Sequence, residues 1–243
     1  MTRAEGIRNF PKTGWRNLLA RHLAALTKRP APTSFLDYQT QAALHLPFAG
    51  EWYVYWGGRT AARNYHVVAR DQRFAYDFLM LAGGRTGQSH RNTGANNSDY
   101  YCFGRPLYAP ADGVVVKVEN DLPDNPPGEM HAKSPMGNFT LLDHGCGEFS
   151  FLAHFQQGSV VVRAGHSVHS GQLLGRCGNS GHSSEPHLHY HLQNNAIPFR
   201  GDGLPAFFVE YLANGKPVPR GEPQARQTVR SQSEFSGESV GGE

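Results

Sequence analysis

From Pro47 onward, apolar and polar positions alternate in short runs with a period of two. "GEWYVYWGG" alternates aromatic and other residues and stops at two glycines, so it predicts a strand and turn. "RFAYDFLML" predicts a second strand, and "ADGVVVKVEN" a third, entered through a turn. "NFTLLDHG", "EFSFLAHF", "SVVVRAG", "GQLLGRCG" and "PHLHYHLQN" follow as further short strands. Turn residues recur among them at intervals of about 8–12 residues, the spacing of an all-β barrel or sandwich. Two stretches break the pattern. "GGRTGQSHRNTGANNSDYY" and "DLPDNPPGEMHAKSP" are too polar and too rich in Gly, Asn and Pro for an element, and read as long loops.

The flanks read differently. "WRNLLARHLAALTKR" (residues 15–29) has apolar residues at 15, 18, 19, 23 and 26, the spacing of an amphipathic helix docked over the main domain. Pro30 and Pro32 end it. "SFLDYQTQAALHL" predicts a second short helix, with Ser34 and Asp37 at its start. After Pro219 the residues are mostly polar, with Gly, Ser, Glu and Gln dominant. The expected organisation is therefore a helical N-terminal extension (1–46), a mainly β domain (47–220) and a disordered tail (221–243).

Composition narrows the class. Hydrophobic residues at 39% and charged residues at 18% allow a packed core. A net charge of +3 suits anionic surfaces weakly and gives no signature of a nucleic-acid binder. Cys102, Cys146 and Cys177 are odd in number and far apart, which argues against a disulfide scaffold and a zinc knuckle. Buried thiols are expected, with one disulfide plus a free thiol as the alternative. No stretch approaches the ~20 apolar residues of a membrane span. The N-terminus as written has no long apolar run before a small-residue cleavage site.

The candidate chemistry lies in the histidines. The chain has 13, and nine fall between His131 and His191. In "SGHSSEPHLHYHL", His187, His189 and His191 stand at every second position and so share one strand face. A polar face turned to water is the simplest account of one such residue. A His-x-His pair after Pro186, with further candidate ligands in the chain, points instead to a metal, and zinc (Zn2+) suits imidazole and carboxylate donors. The remaining ligands would come from "NYHVVARDQRFAYDFLM", which holds His66, Asp71 and Asp77. Asp77 lies among Phe74, Tyr76 and Phe78, where a charge is costly unless paired or metal-bound. Asp71, in "ARDQR", reads as solvated. His154 in "FSFLAHF" faces either a site or a hydrogen-bonded core.

Together, "EFSFLAHF…GSVVVRAGHSVHSGQLLGRCGNSG…PHLHYHL" resembles the lysostaphin/LytM-type zinc metalloendopeptidases. The resemblance runs from about Gly50 to Leu192 and is dense from Gly113. It implies a mostly antiparallel β-sheet groove with the metal at its floor. It implies a peptide or peptidoglycan substrate, cut at cross-links or stems by metal-activated water. Carried over residue by residue, His66, Asp77 and His189 correspond to the zinc ligands, and His154 and His187 to the catalytic histidines. The two long loops would wall the groove. His187 would be the general base, since no His-Glu-x-x-His helix supplies a glutamate. His154 would donate to the developing oxyanion.

Three departures stand out. The common first motif is His-x-x-x-Asp, whereas His66 and Asp77 are eleven apart and His66 and Asp71 five. Extra residues separate "GNSG" from the His pair. His191 has no family role, and is expected to orient His189, line the groove or be solvated. The rival readings are a non-catalytic, partner-binding member of the same fold and a cupin-like metal barrel. The latter wants a Glu shortly after its His-x-His, and "HLHYHLQNN" lacks one. The compartment is left open, although the implied substrate is extracytoplasmic.

Overall fold

The computed structural model describes residues 30–83, 86–131 and 133–232. The fold is mainly β and antiparallel. Thirteen strands lie among these residues: β1 (Trp52–Trp56), β2 (Tyr76–Leu79), β3 (Pro106–Tyr108), β4 (Gly113–Glu119), β5 (Asn138–Asp143), β6 (Phe149–Phe155), β7 (Ser167–Val168), β8 (Leu173–Arg176), β9 (Leu188–Gln193), β10 (Gly203–Leu204), β11 (Phe208–Ala213), β12 (Lys216–Gly221) and β13 (Thr228–Ser231). One sheet runs β12-β11-β13-β1-β2-β9-β6-β5-β4-β7, with β10 beside β9, and β3 and β8 form a separate pair. The path is open at β12 and β7, unlike the closed metal barrel of a cupin.

The period-two pattern explains which face each strand buries. On β1, Trp52, Val54 and Trp56 are buried while Tyr53 and Tyr55 are half-buried. β9 is buried on both faces. Its Leu188, Tyr190 and Leu192 join Tyr76, Phe78, Leu152 and Phe208 in the main core. Its His189, His191 and Gln193 therefore point the other way. On that second face Phe139, Leu141, Phe151 and Ala153 form a smaller apolar cluster.

The expected helix over 34–46 is absent, and the segment is irregular. Its amide hydrogens are used elsewhere: Gln41 and Ala42 donate to the buried Glu148 carboxylate at 2.6 and 2.8 Å, and Tyr38 Oη does so at 2.8 Å. Leu44, Leu46 and Phe48 are fully buried, an extended spacing that serves the core better than a helix would. The helix expected over residues 15–29 lies outside the described residues. "SVVVRAG" forms no strand, although it runs beside β8 through Val161 N–H to the Leu174 carbonyl at 2.9 Å.

The C-terminal region departs most from expectation. β11 and β12 form a hairpin joined by Asn214 and Gly215, with φ of 50° and 75°. Positive φ at both central residues is what a type I′ hairpin requires, and Asn-Gly is its sequence signal. The expected disordered tail begins inside ordered structure. Residues 228–231 are β13, hydrogen-bonded between β1 and β11. Val229, opposite Trp52, is 1% exposed. One buried apolar side chain within a paired strand outweighs the polar composition around it.

Truncation after Gly221 should therefore destabilise the protein. Burying a residue such as Val229 contributes about 1.5–3 kcal/mol, and each kcal/mol moves Tm by about 2–4 °C in a chain of this size. Calorimetry should show a Tm lower by about 3 °C or more on that scale. An unchanged Tm would show that β13 contributes nothing to the sheet.

Candidate metal and catalytic site

The site starts from one strand register. β2 and β9 pair with Asp77 opposite His189. Their neighbours Tyr76, Phe78, Leu188 and Tyr190 face the main core, so Asp77 and His189 share the other face. Asp77 Oδ1 lies 3.0 Å from His189 Nδ1. His66 arrives from the 3-10 turn Tyr65–Val68, capped by Asn64, and sets Nε2 3.6 Å from the same oxygen. The loop between that turn and β2 closes the eleven-residue separation. One donor atom from each of His66, Asp77 and His189 lies within 4.8 Å of the others, and all three residues are buried.

These donors fit zinc. With bonds of 2.0–2.2 Å, two donors on a tetrahedral ion stand about 3.3 Å apart. The two distances to Asp77 Oδ1 bracket that value. Asp71 is not part of the group, although it is also buried, which raises its carboxyl pKa. For Asp77 burial acts in the same direction, but His66, His187 and His189 outweigh it and hold the carboxyl below its ordinary range. His66, Asp77 and His189 are the residues that could hold a divalent cation here.

The two other histidines flank the triad. β6 carries a bulge against β5, where Asn138 pairs with Phe155 and Phe139 with Ala153, so His154 is the extra residue. His154 has φ of 66°, a left-handed conformation that side chains other than Gly and Asn adopt at a cost. The bulge re-aims its ring onto the side of the sheet that holds His189, at 5.8 Å between centroids. Gly178 N–H binds the His154 carbonyl at 2.9 Å, and Ser180 carbonyl faces His154 Nδ1 at 2.8 Å. Burial, then His187 and His189, push the His154 pKa well down. His187 precedes β9. Its Nδ1 is 2.8 Å from the Glu185 carbonyl and its Nε2 is 3.7 Å from Asp77 Oδ1. The rings of His154 and His187 are 4.8 Å apart.

All five expected residues thus meet in one place, and His191 sits behind them. It is 1% exposed, so it cannot line the groove. Its ring stacks on Phe151 at 4.6 Å and its Nδ1 is 3.0 Å from His189 Nε2.

The cleft that contains Asp77 and His187 is lined by Tyr55, Trp56, Tyr65, Met130, His182 and Glu185, among others. Met130 belongs to one long loop. The other long loop reaches the cleft through Ser89, which donates to Glu185 at 2.9 Å. Asn97 and Asn179 tie the two loops together. Sequence reasoning missed Asn64 and Gln193. Asn before a short helical turn is a capping signal, and Gln193 continues the i+2 row of His187, His189 and His191.

Part of this chain is similar to known proteins. Residues 95–200 match Peptidase family M23, a span that includes His154, His187 and His189 but neither His66 nor Asp77. The chain is 33% identical over 98 residues to the peptidoglycan DD-endopeptidase ShyA of Vibrio cholerae, covering 40% of this chain and 20% of that one. It is 32% identical over 96 residues to an uncharacterized metalloprotease of Haemophilus influenzae, covering 39% and 18%. The matches thus span about a fifth of these relatives' lengths. The catalytic domain of lysostaphin from Staphylococcus simulans superposes with a TM-score of 0.37 at 19% identity, over 64% of this chain and 88% of that one.

Gly178 gives a direct test of how the bulge is held. A Cβ there would stand 2.2 Å from Gln156 N and 2.3 Å from Gln156 Cα, both backbone atoms. Gly178→Ala should therefore force the end of β6 to move, with a loss of about 1–3 kcal/mol or more. Urea denaturation reads this; a variant as stable as the parent would mean the turn is not pressed against β6.

Proposed function

We propose that this chain, whose residues 95–200 match Peptidase family M23, is a zinc-dependent endopeptidase that hydrolyses peptide bonds in bacterial peptidoglycan cross-links or stems. The observation that carries this reading is the convergence of His66 Nε2 and His189 Nδ1 on Asp77 Oδ1, at a cleft that Asp77 and His187 line, with His154 beside His187. A named peptidoglycan DD-endopeptidase among the relatives supports the substrate class, and a named metalloprotease supports the metal.

Zinc in such a site supplies Lewis acidity, which acidifies water toward a pKa of about 7 and polarises a carbonyl. The chain's own residues do the rest. The Glu185 carbonyl can only accept, so it holds the proton of His187 on Nδ1 and leaves Nε2 free to take a proton from the attacking water. The ring that takes up this proton is an imidazolium, with Asp77 Oδ1 3.7 Å from its Nε2. This imidazolium can then protonate the leaving amine. The Ser180 carbonyl fixes His154 in the same tautomer. A neutral His154 therefore accepts through Nε2 and orients the water. It becomes the expected donor to the oxyanion only after it takes up a proton. Tyr55, Trp56 and Tyr65 offer the substrate chain an aromatic wall.

Purified protein should contain one zinc per chain and release soluble muropeptides from cell-wall sacculi, read by mass spectrometry. A chelator should abolish release and added zinc restore it. His189→Ala and Asp77→Ala should lose stoichiometric zinc, while Asp71→Ala keeps it. Full zinc in His189→Ala would overturn the ligand set.

His154→Ala and His187→Ala should retain zinc and lose about 10²–10⁴-fold in turnover, the usual contribution of a general acid or base. If either variant loses its metal, that histidine is a ligand and the division of roles is wrong.

A further inference from the structure

We infer that two buried carboxamides, Asn64 and Gln193, fix the tautomers of His66 and His189 so that each ring turns a bare nitrogen toward Asp77. Asn64 acts on His66 directly, and Gln193 acts on His189 through His191. The consequence for zinc rests on the metal site proposed above; the tautomers themselves do not.

The argument begins at backbone carbonyls, which can only accept. Gln193 is fully buried, and its Nε2 donates to the carbonyls of Asn195 and of Ile197, the latter at 3.1 Å. A flipped amide would set its oxygen against two carbonyl oxygens, so Oε1 must face His191 Nε2, 3.3 Å away. An amide oxygen accepts, so His191 Nε2 carries hydrogen. His191 is 1% exposed, and no carboxylate is bonded to it to support a second proton. Its Nδ1 is then bare. His189 Nε2, 3.0 Å from it, must donate. That leaves His189 Nδ1 bare, 3.0 Å from Asp77 Oδ1.

The same logic holds on the other side of Asp77. Asn64 is fully buried, and its Nδ2 donates to the carbonyls of Gly58, Arg73 and Ala75 at 3.0, 3.3 and 3.1 Å. Its Oδ1 accepts from the His66 backbone N–H at 3.0 Å and faces His66 Nδ1 at 2.9 Å. His66 Nδ1 therefore carries hydrogen and Nε2 is bare, 3.6 Å from Asp77 Oδ1.

When both rings are neutral, two imidazole lone pairs and a carboxylate oxygen face one another with no proton among them. Such a cluster draws a cation, either a metal or a proton that makes one ring an imidazolium. The competing arrangement has His189 turn its tautomer and donate Nδ1–H to Asp77, a charge-assisted hydrogen bond that would fill the metal position with a proton. The Gln193–His191 relay forbids it, because it would put a bare His191 Nε2 against the Gln193 oxygen. Asn64, His191 and Gln193 are positioning residues: none is among the converging donor atoms.

Long-range proton–nitrogen NMR of the metal-free protein, with histidine rings labelled and at a pH above their titration, reads the neutral tautomers directly. Hydrogen is expected on Nδ1 of His66 and on Nε2 of His189 and His191. A neutral His189 ring carrying its hydrogen on Nδ1 would overturn the inference. In His191→Leu, His189 should switch to that form, and zinc affinity measured against a competing chelator should fall about 10–100-fold. His191→Gln can accept from His189 and donate to Gln193, and should stay close to the parent. Equal affinities for the Leu and Gln variants would also overturn the inference. Should His191→Leu fail to fold, Gln193→Met breaks the relay one step further out, and its His189 must lose the Nε2–H preference. A parent protein with the stated tautomers but no bound zinc would remove the metal reading and leave the lock standing.

Discussion

The register between β2 and β9 is the constraint on which the site depends. Asp77 stands opposite His189 because Tyr76 and Phe78 on one strand, and Leu188 and Tyr190 on the other, are committed to the core. A slip of one residue would turn Asp77 into the main core and two aromatic rings into the cleft. The apolar alternation therefore does chemical work. It holds a carboxylate and an imidazole in contact at a depth where neither would settle alone.

His66 and His154 reach the same point by devices that strand periodicity does not provide. His66 sits on a single 3-10 turn, anchored by one side chain that bridges three carbonyls. His154 sits on a bulge in a left-handed conformation, pinned by Gly178. Strands supply the rigid floor, and two local irregularities bring in the groups that a regular ladder would have pointed elsewhere. Ala153, opposite His189, is small and leaves that ring room.

What could be read from the sequence followed this division. The strands over 52–56, 113–119, 149–155 and 188–193 lie where alternation put them, because their burial comes from the strand pattern itself. The five candidate residues were named from the histidine spacing and the family resemblance, and the fold gathers them. Segments whose hydrogen bonds go to distant parts of the chain are not legible locally. Residues 34–46 have helical spacing, yet the Glu148 carboxylate takes their amides. Residues 228–231 look like tail, yet they complete a sheet whose other members lie far back in the chain. The Asn-Gly hairpin at 214–215 carried a local signal strong enough to find it. Gln193 carried none beyond its place in the row, since its role depends on two carbonyls that only folding brings near.

The position of β13 bears on when the protein can become functional during its synthesis. β1 supplies Tyr55 and Trp56 to the cleft, yet one of its edges is closed only when residues 228–231 add alongside it. The cleft's aromatic wall is thus translated long before the strand that closes its edge. Pairings this remote in sequence are slow to form, because a long loop must close before any contact compensates for it. On the ribosome, the clustered histidines emerge well before the strand that steadies the aromatic wall beside them. A complete cleft arrives late, as a property of the finished sheet.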